Sequence, residues 1–255
     1  MVATLYKTCP KCGAAAAGLD VCAACGVIFA KYLRAKFASP QLQARPANAE
    51  PDDDGEDSLL SQAKALVLYV PEEVDRGFVY GRAILLAAIA FYGAKLALMD
   101  IPSWEMAASL IHLPMVPIHE FGHVLFRPLG EFMTLLGGSL FQVLLPLIFG
   151  GVFVVKNRDP FAASVMLWWA GVAVMDVAPY VYDAFQPQHI LLTGRTGDNG
   201  AHDFIDVLGD LGLLQKAQPI GRGVHVFGFV MMVAALAWGA WLVWQQSRRS
   251  KSSAA

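Results

Sequence analysis

Residues 101–126 read IPSWEMAASLIHLPMVPIHEFGHVLF, and the last ten, PIHEFGHVLF, set His119, Glu120 and His123 inside an apolar run. Positions four apart share one face of a helix, so the two imidazoles can reach one zinc ion while Glu120, one step along, meets a water bound to it. Zinc lowers the pKa of such a water towards neutrality, and a carboxylate within hydrogen-bond reach can take its proton. Ionisable side chains at membrane depth are costly and face a cavity or a partner, and here three fall within five positions. The same stretch carries Pro102, Pro114 and Pro117. Proline removes a backbone donor and kinks a helix, so 101–126 is either one kinked span or a broken helix that dips into the membrane and returns. That choice decides the topology.

The rest of the chain supplies the setting. Its 255 residues are 56% hydrophobic and only 16% charged, with a mean hydropathy of +0.48, which is too apolar for an ordinary soluble domain. Further spans are predicted at 81–99, 132–155, 161–182 and 224–244. The fold class is therefore an all-α polytopic membrane protein of four or five spanning helices, plus a re-entrant segment if 101–126 turns back. A net charge of −2 offers no footprint for nucleic acid. The polar N-terminal section has no secretory signal and is expected to stay cytosolic.

All four cysteines lie in residues 1–37, as Cys9-Pro-Lys-Cys12-Gly and Cys22-Ala-Ala-Cys25-Gly. In each knuckle the glycine permits a tight turn and two thiolates converge, so the pair predicts a small zinc ribbon with a closed, structural four-cysteine site. Two disulfides are the alternative, which a reducing cytosol disfavours. A segment this short buries too little to fold unaided, so the metal supplies the folding free energy. The ribbon is expected to dock a protein partner or to regulate.

Residues 38–61, with Asp52, Asp53, Asp54, Glu56 and Asp57 crowded together, read as a flexible acidic linker. Residues 62–246 form the membrane domain, opening with a short interfacial segment at 63–76, and 247–255 are a polar tail. Gly137, Gly138 and Ser139 are small residues that let helices approach closely. Gln142, at depth, needs a partner. His112 is expected to pack or hydrogen-bond rather than bind metal.

A catalytic zinc site with two histidines needs a third protein ligand and one open position. Asp176 and Asp183 stand seven residues apart, two helical turns, on the helix that carries Pro179. Asp183 is the expected ligand, with Asp176 as the alternative or as a supporting partner. In the long connection 184–222, His202 is a further candidate, although His202-Asp203 reads more simply as the capped start of a short amphipathic helix at 204–214.

Charge speaks to sidedness. With a cytosolic N-terminus, five full crossings leave the basic tail at Arg248, Arg249 and Lys251 outside, against the positive-inside tendency. A re-entrant 101–126 returns that tail, Lys156 and Arg158 to the cytosol and turns the chemistry outward, and charge favours it. In both arrangements two crossings separate the histidines from Asp183, so the ligands end on one face.

Over roughly residues 80–185 the chain resembles the site-2 protease family of intramembrane zinc metalloproteases. The resemblance rests on His119-Glu120-Phe121-Gly122-His123 and on Pro179 followed by Asp183 two spans later. It implies that His119, His123 and Asp183 bind zinc, that Glu120 is the general base, and that the substrate is a membrane-embedded or membrane-adjacent peptide. Asp176 and Ala184 stand where that family usually carries Asn and Gly. The layout also resembles bacterial membrane proteins with an N-terminal ribbon and a later His-Asp pair, here His202-Asp203, so the expected location is a bacterial inner membrane. Two zinc ions are expected, one in the membrane site and one in the ribbon. The competing reading is a non-catalytic membrane scaffold or assembly factor whose metal site is structural or vestigial. Metal transport is weaker, because one acid and imidazole cluster gives an ion no path.

Overall fold

A computed structural model of the chain describes residues 8–9, 11–15, 21–29, 55–71, 74–192, 194–199 and 202–252. It divides into two compact units, residues 1–54 and 55–255.

In the first unit each C-x-x-C-G closes as a tight turn. Gly13 and Gly26 hold positive φ (75° and 68°), a conformation that only glycine adopts without strain. The Gly13 N–H bonds the Cys9 carbonyl at 2.9 Å and the Gly26 N–H bonds that of Cys22 at 2.8 Å. Isolated bridges, Thr8 to Ala15 and Val21 to Ile28, tie the arms of each knuckle. Phe29 packs on Cys9 and Cys22 in a core too small to stand alone.

The second unit is helical: α1 (Gly55–Val67), α2 (Arg76–Ala97), α3 (His112–Phe126), α4 (Glu131–Val155), α5 (Pro160–Asp183), α6 (Asp203–Asp210) and α7 (Ala217–Ser252). Among the described residues, four helices are long and apolar enough to cross a membrane, namely α2, α4, α5 and the stretch Leu214–Ser250 that contains most of α7. The chain is thus a polytopic α-helical membrane protein. Two expected boundaries change. Residues 55–61, read as linker, begin α1, while 38–54 lie outside the described residues. Most of the polar tail continues α7 as far as Ser252.

α5 is the central helix: 67% of its apolar window is buried inside the protein, against 11% for α2. Lipid tails are as apolar as leucine, so what joins these helices is close packing rather than a hydrophobic drive. Gly171 of α5 faces Gly228 of α7 so closely that a Cβ on either would lie 2.8 or 2.6 Å from the other's carbonyl oxygen. α3 and α4 cross in the same way, with a Cβ on Gly122 coming 2.3 Å from the Gly137 carbonyl oxygen. The small residues of α4 serve the close approach expected of them.

Contacts sort the helix ends. At one end Arg82 pairs with Asp159 at 2.9 Å, Val70, Phe161 and Leu242 share a cluster, and Arg249 donates to the Val70 and Pro71 carbonyls. At the other end His225 reaches the Ala97 carbonyl at 3.3 Å, and Val181, Ala184, Phe204 and Ala217 pack together with Phe132 and Leu135. α3 belongs wholly to this second half. Its first residue, His112, bonds Asp176, about 10 Å along α5 from its end at Asp183, and its last, Phe126, lies where a Cβ on Gly137 would strike it. With 15 residues, α3 is too short to cross. The chain leaves α2, descends through a short 3-10 turn at Glu105–Ala108, and climbs back along α3 to the end from which α4 departs. Residues 101–126 are therefore re-entrant, and four crossings carry the bundle.

Candidate metal centres

Two elements deliver the candidate donors of the membrane site. His119 and His123, one turn apart on α3, set their rings 4.7 Å apart at 79°. The third donor is Asp203, in the first turn of α6: its Oδ2 lies 3.3 Å from His119 Nε2 and 3.4 Å from His123 Nε2. Metal-ligand bonds of 2.0–2.1 Å at the tetrahedral angle put neighbouring donors about 3.3 Å apart, which is the spacing found between Asp203 and each histidine. The three atoms lie within 4.8 Å of one another and could hold a metal ion.

The surroundings suit that task. The Thr134 carbonyl lies 2.8 Å from His123 Nδ1, so the ring carries its proton there and keeps the Nε2 lone pair free. Gly138 opens the space over both rings, since a Cβ there would lie 2.6 Å from His123 Nε2 and 2.7 Å from His119 Nε2. Tyr180 of α5 holds Asp203 twice: its hydroxyl accepts the Asp203 N–H at 3.0 Å and donates to Oδ2 at 3.3 Å. Glu120 is exposed and makes no hydrogen bond or ion pair among the described residues.

Asp183 does not join this group. It ends α5 buried at 4% exposure, accepts the Gln188 N–H at 3.0 Å, and faces His202 Nε2 at 3.8 Å and His189 Nε2 at 3.9 Å. The place expected for it is taken by Asp203. The cause is the path of the 184–202 connection, which folds back so that Phe204, Val207 and Leu208 of α6 bury against α4 and α5. His202 stands at the N-cap of α6 with Asp203 in its first turn, as the capping interpretation expects, although the His202 side chain makes no capping hydrogen bond. Asp176 is engaged elsewhere, with His112 Nδ1 at 2.9 Å and the Gln142 amide donating to it at 2.8 Å. That contact is the partner Gln142 needs at depth, and His112 hydrogen-bonds as expected.

In the ribbon unit Cys9, Cys12, Cys22 and Cys25 are unpaired thiols grouped so that they could hold a metal ion. Cys9 Sγ and Cys25 Sγ stand 3.8 Å apart, and Cys12 Sγ and Cys22 Sγ 3.7 Å. A disulfide needs about 2.05 Å, whereas a tetrahedral site with 2.3 Å metal-sulfur bonds needs about 3.8 Å. Burial resists ionisation of Cys9, but the N–H groups of Cys12 and Lys11 outweigh it and lower the thiol to about 6. At Cys12 the Ala14 N–H acts in the same sense, yet the Cys25 and Cys9 thiols prevail and push it up to about 12.

No family model, curated protein or solved structure matches this chain.

Proposed function

We propose that the membrane domain is a zinc metallopeptidase that hydrolyses peptide bonds in or near the bilayer. The observation that carries this reading is the convergence of His119, His123 and Asp203 within 4.8 Å of one another beneath Gly138, with Glu120 one residue from the first ligand. A zinc ion held there supplies Lewis acidity, polarising a carbonyl and acidifying water. Glu120 is the general base and then the acid, taking a proton from the attacking water and passing it to the leaving amine. Its freedom from partners suits a group that must engage substrate. The Thr134 carbonyl fixes the tautomer of His123, and Tyr180 fixes the carboxylate of Asp203.

Three protein donors leave one position for water and substrate. The scaffold alternative calls for a closed site, and the other nearby candidates, Asp183 and His202, stand outside the group. The ribbon binds a structural zinc and serves as a docking module. The end of the bundle that carries Arg76, Arg82, Lys156, Arg158, Arg248 and Arg249 faces the cytosol, by the positive-inside tendency. The metal centre then opens on the opposite face of a bacterial inner membrane, and the substrate is a membrane protein or peptide reached from that side.

The test is turnover of membrane-spanning peptides in proteoliposomes by the full chain. Glu120→Gln should keep its metal and lose about 10²–10⁴-fold in rate. Full turnover by that variant would end the general-base assignment.

A further inference from the structure

Asp183, the metal ligand expected from the sequence, and His202, a further candidate, form a second buried polar group beside the first. His202 is buried to 2% exposure, and neither ring nitrogen has a hydrogen-bond partner among the described residues. Asp183 Oδ2 is likewise buried and without one. The two face each other, Nε2 to Oδ2, at 3.8 Å. Burying unpartnered polar atoms is expensive, and the cost falls when an acid and an imidazole confront each other. The His202 ring is fixed on its other sides too. It stacks on Tyr180 at 4.3 Å, and Gly197 approaches so closely that a Cβ there would lie 2.6 Å from His202 Cδ2.

A metal ion does not explain this group. Two of the three nearby side chains confront each other, but the third, His189, already directs its Nε2 at the Pro102 carbonyl at 2.7 Å. What the group does reach is Asp203. His202 is its chain neighbour, and Tyr180, on which His202 stacks, holds both the backbone N–H and the carboxylate of Asp203.

We infer that Asp183 and His202 are positioning residues: a buried acid and imidazole pair that anchors the returning connection and so holds Asp203 against His119 and His123. This deepens the proposed function and rests on a metal being held there. The distribution of carboxylates makes sense on this basis. Asp183 ends a spanning helix and is fixed by the bundle, whereas Asp203 begins an eight-residue helix that Phe204, Val207 and Leu208 pack against the bundle but whose leading end needs holding. Groups behind a metal ligand that fix its orientation commonly set 10–100-fold in affinity.

The experiment titrates the full-length protein with cobalt(II), whose ligand-field bands report the membrane site while thiolate charge-transfer bands report the ribbon. Asp183→Asn keeps the shape and removes the charge, and His202→Phe keeps the stack on Tyr180 and removes the nitrogens. Both should weaken cobalt binding at the membrane site about 10–100-fold, with the saturated ligand-field spectrum unchanged because the ligands are unchanged. Asp183→Glu should recover part of the loss. Amide hydrogen exchange at 203–208 should quicken in both variants without metal, while exchange in α5 and α7 stays as in the unaltered protein. Unaltered affinity together with unaltered exchange would overturn the inference. So would a saturated spectrum of new shape in Asp183→Asn, since that would make Asp183 a ligand. If the unaltered protein takes no cobalt beyond the ribbon, the proposed function fails by itself. The exchange comparison then still decides the tether, with faster exchange supporting it and equal exchange refuting it.

Discussion

Gly138→Ala adds one methyl group at the point where the account is most sensitive. Its Cβ would stand 2.6 Å from His123 Nε2, 2.7 Å from His119 Nε2 and 2.7 Å from His123 Cε1. Unstrained carbon contacts begin near 3.5 Å, so the rings must retreat by about 0.9 Å. His123 resists, because its Nδ1 is tied at 2.8 Å to the Thr134 carbonyl on the same helix as Gly138. A metal site tolerates displacement of about 0.5 Å, so the donor spacings of 3.3 and 3.4 Å to Asp203 would be lost. Affinity at the membrane site should fall at least 10–100-fold. Alanine is the better helix former by about 1 kcal/mol, so α4 itself should not suffer. Cobalt titration of the full chain measures the effect, with the ribbon's thiolate bands as internal reference. Gly151→Ala, where a Cβ would meet nothing within 4 Å, is the control. Undiminished binding by Gly138→Ala would refute the placement of the ion beneath this glycine.

Further outcomes follow from other parts of the chain. Cys12→Ser should remove the ribbon's metal and leave the membrane site loaded, as read from the two sets of cobalt bands. Acidification should release the ribbon's metal while raising the pH should tighten it, since each thiol must lose a proton to bind; a pH series of metal retention against a competing chelator checks the sign. Gly171→Ala pushes a Cβ to 2.8 Å from the Gly228 carbonyl oxygen and the Met232 nitrogen, backbone atoms that cannot yield readily. It should cost about 1–3 kcal/mol of stability, seen as a lower midpoint of thermal unfolding in detergent.

Much of this arrangement is legible in the residues. Apolar runs give the spans, Gly13 and Gly26 give the knuckles, and Gly137-Gly138 give the close crossing on which the site is built. Prolines and the distribution of lysine and arginine together pointed to the re-entrant path of 101–126. Residues 55–61 were read as part of a self-repelling linker, yet they begin α1. The third donor is where local reading stops. Asp176 and Asp183 share a helical face, but which carboxylate meets the histidines depends on how residues 184–202 fold back, and no local period encodes that. One signal was available: Phe204, Val207 and Leu208 make a short amphipathic helix that must return to the bundle, and its first turn carries Asp203 with it.

The central claim is tested most directly by the metal content of the purified full-length protein set against Asp203→Ala and Cys12→Ser. The account predicts two ions per chain, one lost in each variant, and both lost when the substitutions are combined. Two ions retained in Asp203→Ala would contradict the assignment of His119, His123 and Asp203 as a single metal site.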